Sequence, residues 1–321
     1  MSVIVPAYGS AGLDVCLASI RASHYSDYEL LIADDGSPDP AIIDHVATAY
    51  GARVIRLEVN SGPAAARNAA ARAAGGELLV FFDSDVTLHG DTLRRIADRF
   101  STDPELDALM GSYDFEPAQG GFVAAFRNLL HAWVHHRSAG EASTFWGACG
   151  AVRRERFLHL GGFDESYRRP SVEDVEFGMR LHRAGARILL DPAIEVKHHK
   201  AWGIGSMLFT DAVRRAVPWT HLLMKYGTPR GLNFRGADRA STAAACAAVL
   251  AAVVSPIYGA VCWIAAAVAL IVMVLLQWDF FRFLIQQRGV AFGAASVPLY
   301  LAHSLAGAIG FGVGLLMRPK R

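Results

Sequence analysis

Two carboxylates, Asp83 and Asp85, stand two residues apart directly after the apolar run Leu78 to Phe82. In an extended chain successive side chains alternate in direction, so carboxylates at i and i+2 share a side. Paired hard oxygen donors with open coordination positions suit a divalent cation, Mg2+ or Mn2+, that also holds a diphosphate. An isolated Asp-x-Asp is common in polar loops at strand ends, so the reading depends on what converges with it.

The elements that must position this pair can be read from periodicity. Strand patterns occupy Val3–Pro6, Glu29–Ala33, Arg53–Leu57 and Leu78–Phe82. Helical patterns lie between and after them, at Leu13–Ser23, Pro40–Tyr50, Pro63–Ala74 and Thr92–Phe100, with Pro63 suited to a first helical turn. This alternation predicts an α/β fold with a mostly parallel sheet and helices on both faces. Ligands on such sheets bind beyond the carboxyl ends of the strands. Each of the four strands is followed by a polar cluster: Pro6-Ala7-Tyr8, Asp34-Asp35-Gly36-Ser37, Asn60-Ser61-Gly62 and Asp83-Ser84-Asp85. All four are therefore expected at one sheet edge. A proline and an aromatic ring can flank a base. A carboxylate can accept from a base N–H or a ribose hydroxyl. Arg67, one turn into its helix, lies where a cation and a helix N-terminus both meet phosphate.

The composition is uneven along the 321 residues. A net charge of +1 carries no global field for nucleic acid. The four cysteines, Cys16, Cys149, Cys246 and Cys262, show no spacing of a disulfide framework or zinc site, which fits a reducing compartment. Met1 to Pro6 opens directly as a strand, and no cleaved signal peptide is expected. Residues 1–200 carry nearly all the acidic groups, whereas Ser241 to Trp278 and, apart from His303, Val290 to Met317 are uncharged. A single span needs about 20 residues, so the first stretch is expected to break near Ser255 to Gly259 into helices over about 240–257 and 259–278. Placing Arg282, Arg288 and the basic run Arg318 to Arg321 on the cytoplasmic side requires an even number of crossings. Three segments give an odd number, so the last stretch would be a re-entrant pair broken near Pro298, or one basic cluster would lie outside. Between Trp202 and Arg239, apolar and aromatic residues alternate with Arg214, Arg215, Lys225, Arg230, Arg235 and Arg239, a pattern suited to an anionic membrane surface.

Val3 to Tyr8, Asp34 to Ser37, the Asn-x-Gly-x-x-x-Ala-Arg-Asn run at 60–68 and Asp83-Ser84-Asp85 together resemble the family 2 inverting glycosyltransferases of the GT-A fold. The likeness continues through Gly161-Gly162-Phe163-Asp164-Glu165 and Glu173 to Leu181, covering about residues 1–200. The sequence departs from the family pattern at Ala7-Tyr8-Gly9, where Thr-Tyr-Asn is commoner, and in the acceptor loop Phe145 to Gly150. The resemblance implies nucleoside contacts from Asp34 and Asp35 and a nucleotide contact from Arg67. It implies metal, ribose and diphosphate contacts from Asp83 and Asp85, with Asp85 the more direct metal ligand. In Glu173-Asp174 it points to Asp174 as the catalytic base. His198 matches a further metal ligand, with His199 the alternative. The chemistry is consistent: an inverting transfer needs one carboxylate to take the acceptor proton and a metal to offset charge on the departing diphosphate.

The expectation is a nucleotide-sugar domain over 1–200, an interfacial segment over 201–239 and a transmembrane region of two to four helical segments over 240–321. The donor-binding set is Pro6, Ala7, Tyr8, Asp34, Asp35, Asn60, Arg67 and Asp83. The catalytic pair is Asp174 and Glu173, and the metal set is Asp83, Asp85 and His198. Expected partners are a UDP-sugar or related donor, a lipid or lipid-linked acceptor and the membrane, with no nucleic acid. The site of action is the inner membrane, with the catalytic domain in the cytoplasm. The competing readings are a processive polysaccharide synthase, which lacks a Gln-x-x-Arg-Trp element here, a catalytically silent assembly protein, and a nucleotidyl transferase.

Overall fold

The computed structural model describes all residues except 10, 119, 230–234 and 318–321, so Arg230 and the basic run from Arg318 to Arg321 lie outside the described residues. β1 (Ser2–Ala7), β2 (Glu29–Asp34), β3 (Arg53–Arg56) and β4 (Leu78–Phe82) pair in parallel in the order β3-β2-β1-β4. Their crossovers are α1 (Leu13–Arg21), α2 (Pro40–Tyr50) and α3 (Pro63–Ala73). Alternation along β1 sends Val3 and Val5 to one core and Ile4 to the other. Ala64, Ala66, Ala70 and Ala71 of α3 are fully buried in the second core, where small side chains let the helix lie close to the sheet.

Beyond β4 the parallel expectation no longer holds. β5 (Val86–Leu88), α4 (Thr92–Thr102), β6 (Ala108–Tyr113), α5 (Phe122–Arg137), β7 (Gly140–Ala142), β8 (Cys149–Arg153), α6 (Arg154–His159), α7 (Glu173–Arg183) and β9 (Ile188–His198) follow. β8 runs antiparallel to β4 and β6, while β6 and β9 are parallel and β5 and β7 are antiparallel to β9. The sheet is mixed because β8, a buried strand without a clear polar alternation, returns between β4 and β6 with no crossover helix of its own. Its second-face core is aromatic: Phe81 packs on Phe157 and Phe163 at centroid distances of 5.4 and 5.3 Å, and Phe145 on Phe177 at 5.6 Å.

The chain forms two units, 1–120 with 135–201, and 121–134 with 202–321. Most of α5, sequentially inside the α/β part, thus belongs to the helical unit. That unit contains a continuous helical run, α8 (Ile204–Phe209), a π-helical stretch (Thr210–Ala216) and α9 (Val217–Tyr226), followed by α10 (Gly236–Tyr258), α11 (Ala260–Leu276), α12 (Trp278–Arg288) and α13 (Val290–Leu316). α10 and α11 form an antiparallel hairpin: Gly259 turns with φ +77°, and Gln277 at the far end donates to Asp238. Pro256 cannot donate within α10, and the Ser255 hydroxyl supplies a bond to the Ala252 carbonyl instead. α10 and α13 are each long and apolar enough to cross a membrane, and the pair α11–α12, bent by 71°, makes three if it is one span. Leu250, Val253, Ile257, Val261, Ile264 and Val268 of the hairpin are exposed. Of the two alternatives for the last stretch, the break near Pro298 is not found: α13 is one helix through that residue. Inside this unit the buried Arg127 and Asp211 pair at 2.6 Å, and Asp211 also meets His303 at 2.7 Å.

Candidate active site

The polar clusters after β1 to β4 follow strand ends on one edge of the α/β unit, and the first three are tied to one another through backbone groups. Asp35 N donates to the Ala7 carbonyl, and both carboxylate oxygens of Asp35 accept from the amides of Ser61 and Gly62, at 2.7 to 3.1 Å. Asp34 is fully buried and accepts from Ser37 N and Arg56 Nε at 3.0 and 2.6 Å. Burial would raise its carboxyl, but Arg56 and Ser37 hold it below the ordinary range. The two aspartates therefore tie the loops at 34–37 and 58–62 together. Ala7 is buried, Pro6 half-buried, and Tyr8 and Asn60 are exposed.

Asp83, Ser84 and Asp85 do not continue an extended strand. Val86 N donates to the Asp83 carbonyl, closing a turn between β4 and β5, so the alternation argument does not describe them. The two carboxylates take different partners. Asp83 accepts from Arg67 Nη2, and Asp85 Oδ2 lies 3.7 Å from His198 Nε2. β5–β9 pairing sets Val86 opposite His198, which brings Asp85 beside it. Burial alone would raise the Asp85 carboxyl; His198 and Lys200 outweigh it and hold it below the usual range. His199 instead pairs with Thr87 Oγ1 at 2.9 Å.

Arg67 is 5% exposed and stands between acids from distant segments, with Nη1 3.3 Å from Glu173 Oε1. Asn68 beside it accepts from Phe163 N and donates to the Phe163 carbonyl, fastening the Gly161-Gly162-Phe163 turn to α3. Glu173 Oε2 accepts from Ser171 N at the start of α7. Asp174, the next residue, accepts from Gly147 N at 2.9 Å and Val175 N at 2.7 Å. Burial first and the neighbouring Glu173 second push its carboxyl up to about 7, against the opposing pull of these amides and Arg67. The approach of Gly147 to α7 depends on Gly178, one turn after Asp174: a Cβ there would sit 2.0 Å from Phe145 N. Trp146 and the Gly147 amide belong to the loop at 145–150 that the resemblance linked to the acceptor, but sequence reading gave neither an individual role, and it did not assign Tyr113 at all. The small residue in Glu176-Phe177-Gly178-Met179 was the available sign of a close approach.

Removing the Arg67 charge should be costly. Arg67→Met leaves Asp83, Glu173 and Asp174 facing each other without a counter-ion. A loss of about 3–5 kcal/mol is expected in denaturant unfolding, together with a higher apparent pKa for Asp174. Wild-type stability in this variant would show that the acids do not depend on Arg67.

Two donors, the Asp85 carboxylate and the His198 imidazole, stand close enough to share one cation, with Asp83 in the same turn. Among the described residues no three such side chains form a ready-made cluster. The structure thus brings Asp85 and His198 together but turns the Asp83 carboxylate to Arg67.

A family profile described as Glycosyl transferase family 2 matches residues 2–161. An uncharacterized glycosyltransferase of Haemophilus influenzae is 26% identical over 183 residues, 56% of this chain and 61% of the relative. A pre-mycofactocin glycosyltransferase of Mycobacterium tuberculosis is 30% identical over 207 residues, 62% of this chain and 42% of the relative. This chain thus matches between about two-fifths and three-fifths of these relatives' lengths. A mannosyltransferase from Pyrobaculum calidifontis, solved with GDP-Man and Mn2+, superposes with a TM-score of 0.61 at 18% identity, covering 98% of this chain and 86% of that one.

Proposed function

Residues 2–161 are a glycosyl transferase family 2 domain of the GT-A fold, and we propose that this chain performs an inverting, metal-dependent sugar transfer from a nucleotide sugar to a lipid-linked acceptor at the cytoplasmic face of a membrane. The observation that carries the proposal is the meeting of Asp83, Arg67, Glu173 and Asp174 within one network, next to the Asp85–His198 pair. A carboxylate with a pKa of about 7 is half in its basic form near neutral pH, where a general base is most effective.

In this reading the nucleoside lies across the Pro6-Ala7-Tyr8 and Asn60-Ser61 loops, whose spacing Asp34 and Asp35 maintain. Asp83, Asp85 and His198 would hold Mg2+ or Mn2+, which when bound offsets the negative charge of the departing diphosphate. The acceptor oxygen forms a bond to the anomeric carbon as the bond to the diphosphate oxygen breaks. Its proton passes to Asp174, whose free lone pairs are oriented by the Gly147 and Val175 amides. The leaving nucleoside diphosphate carries away the bonding electron pair. No covalent sugar-enzyme bond is needed. The Mn2+ and GDP-Man of the Pyrobaculum mannosyltransferase support a metal and a nucleotide-sugar donor, and both UDP- and GDP-sugars belong in the first screen. That screen, nucleoside diphosphate release from a panel of nucleotide sugars with Mn2+ and with chelator, tests the proposal. Metal-dependent release from at least one donor is expected, and none from any would contradict it.

Two further outcomes follow. The base must be ionised to work, so kcat/KM should climb with pH and level off above an apparent pKa near 7. A rate that falls across the same range would reverse the assigned protonation state. The apolar hairpin and α13 should keep the chain in the membrane pellet through carbonate washing; release without detergent would show that neither α10 nor α13 spans the bilayer. Those helices and the basic, aromatic run at 202–239 support a lipid-linked acceptor, and with it we propose a role in cell-envelope glycan or glycolipid synthesis.

A further inference from the structure

We propose that Tyr113 is a positioning residue, a wedge that orients the His198 imidazole toward Asp85 and fixes it to the loop that holds the base. The inference rests on the metal-binding reading of Asp83, Asp85 and His198. Its physical origin is an irregularity in the β6–β9 ladder. Met110 pairs with Leu190, but two residues later Ser112 pairs with Glu195, and Tyr113 with Val196. Had the register run on unbroken from Met110, Tyr113 would have faced residue 193, and His198, five positions further, would have pointed to the opposite side of the sheet. The three extra residues of β9 change that parity. His198 is now two positions from Tyr113's partner and shares its face. Asp191 stabilises the bulge by accepting from Ala193 N at 3.0 Å. Gly111 permits it, since a Cβ there would lie 2.3 Å from the Ile194 carbonyl oxygen.

The result is a row of rings. Tyr113 is 6% exposed. Its ring stacks on His198 with a centroid distance of 4.3 Å and an interplanar angle of 12°. Trp146 meets the same ring edge-on at 4.7 Å. A stacked ring fixes the plane of the imidazole, and Nε2 lies in that plane facing Asp85. Trp146 directly precedes Gly147, whose amide donates to Asp174. Tyr113 therefore links the proposed metal ligand on one side to the loop orienting the proposed base on the other. Residues that orient a metal ligand without binding the ion typically change metal affinity by about 10–100-fold when removed.

The test is Mn2+ affinity, measured by calorimetry and by the paramagnetic resonance signal of free Mn2+, with UDP and in parallel with GDP. Tyr113→Leu should weaken Mn2+ binding by about 10–100-fold, while Tyr113→Phe, which keeps the stacked ring, should stay close to wild type. In a His198→Ala background, Tyr113→Leu should cause no further loss, because the path through the imidazole is already cut. Tyr113→Met, of similar length but without a ring, is the companion variant should Tyr113→Leu fail to fold, with the same expected loss. Unchanged Mn2+ affinity in the ringless variants overturns the inference and leaves the metal reading standing. So does an equal loss with and without His198. A wild-type chain that binds no Mn2+ with either nucleotide overturns both.

Discussion

Asp174→Asn is expected to lower sugar transfer by about 10²–10⁴, the range for a positioned general base, while leaving donor affinity nearly unchanged. The amide is the same size as the carboxylate, and its oxygen can still accept from Gly147 N or Val175 N, which lie 2.9 and 2.7 Å away. What the substitution removes is basicity. The nucleoside and metal contacts proposed above come from other loops, so calorimetric donor binding should survive. Both readings are needed. Near-normal transfer would move the base elsewhere, first to Glu173, whose carboxylate is engaged by Arg67 and Ser171 N. Loss of donor binding would make Asp174 part of the donor site. The rising pH profile should disappear in the same variant, because the group that titrates near 7 is gone.

Asp85→Ala should abolish most metal-dependent donor binding. The Asp85 carboxylate is held ionised by His198 and Lys200 and faces the imidazole directly. Removing it deletes a charged ligand and leaves the imidazole without its carboxylate partner. A hard cation loses much of its affinity when a carboxylate is withdrawn, so Mn2+ should no longer raise nucleotide-sugar affinity. The fold should persist, since Asp85 lies in a turn whose backbone bond from His199 N to the Asp85 carbonyl does not use the side chain. Unchanged Mn2+-dependent affinity would place the cation away from this turn. Chelation of the wild-type protein should reproduce the mutant's loss of donor binding without changing its fold.

The N-terminal half was legible because its information is local. Strand runs such as Leu78–Phe82 and the alanine-rich helix from Pro63 announce themselves by period and by a proline at the first turn, and the polar residues after each strand follow from the direction of a parallel sheet. Long uncharged stretches likewise disclose themselves by length, and Gly259 marked the hairpin turn. Non-local pairing was not legible. That β8 returns antiparallel between β4 and β6 depends on partners far away in sequence, and the continuity of α13 through Pro298 depends on helix packing rather than propensity. The same limit applies within the site. Asp83 and Asp85 were visible as a pair, but not their separation between Arg67 and His198. Asp34 and Asp35 were visible as polar, but not their commitment to Arg56 and to the amides of 61 and 62. Tyr113 gave no signal at all, because its placement is a consequence of register in another strand.

The central claim is a single displacement in which Asp174 receives the acceptor proton, and the anomeric configuration of the first-formed product tests it most directly. Proton magnetic resonance of the purified product, with the donor identified by the nucleotide-sugar screen, reads the coupling of the anomeric proton of the transferred sugar. The account predicts a configuration opposite to that of the donor, formed by the wild-type protein and suppressed in Asp174→Asn. A product that keeps the donor configuration would contradict it, since retention requires a second displacement or attack from the opposite face.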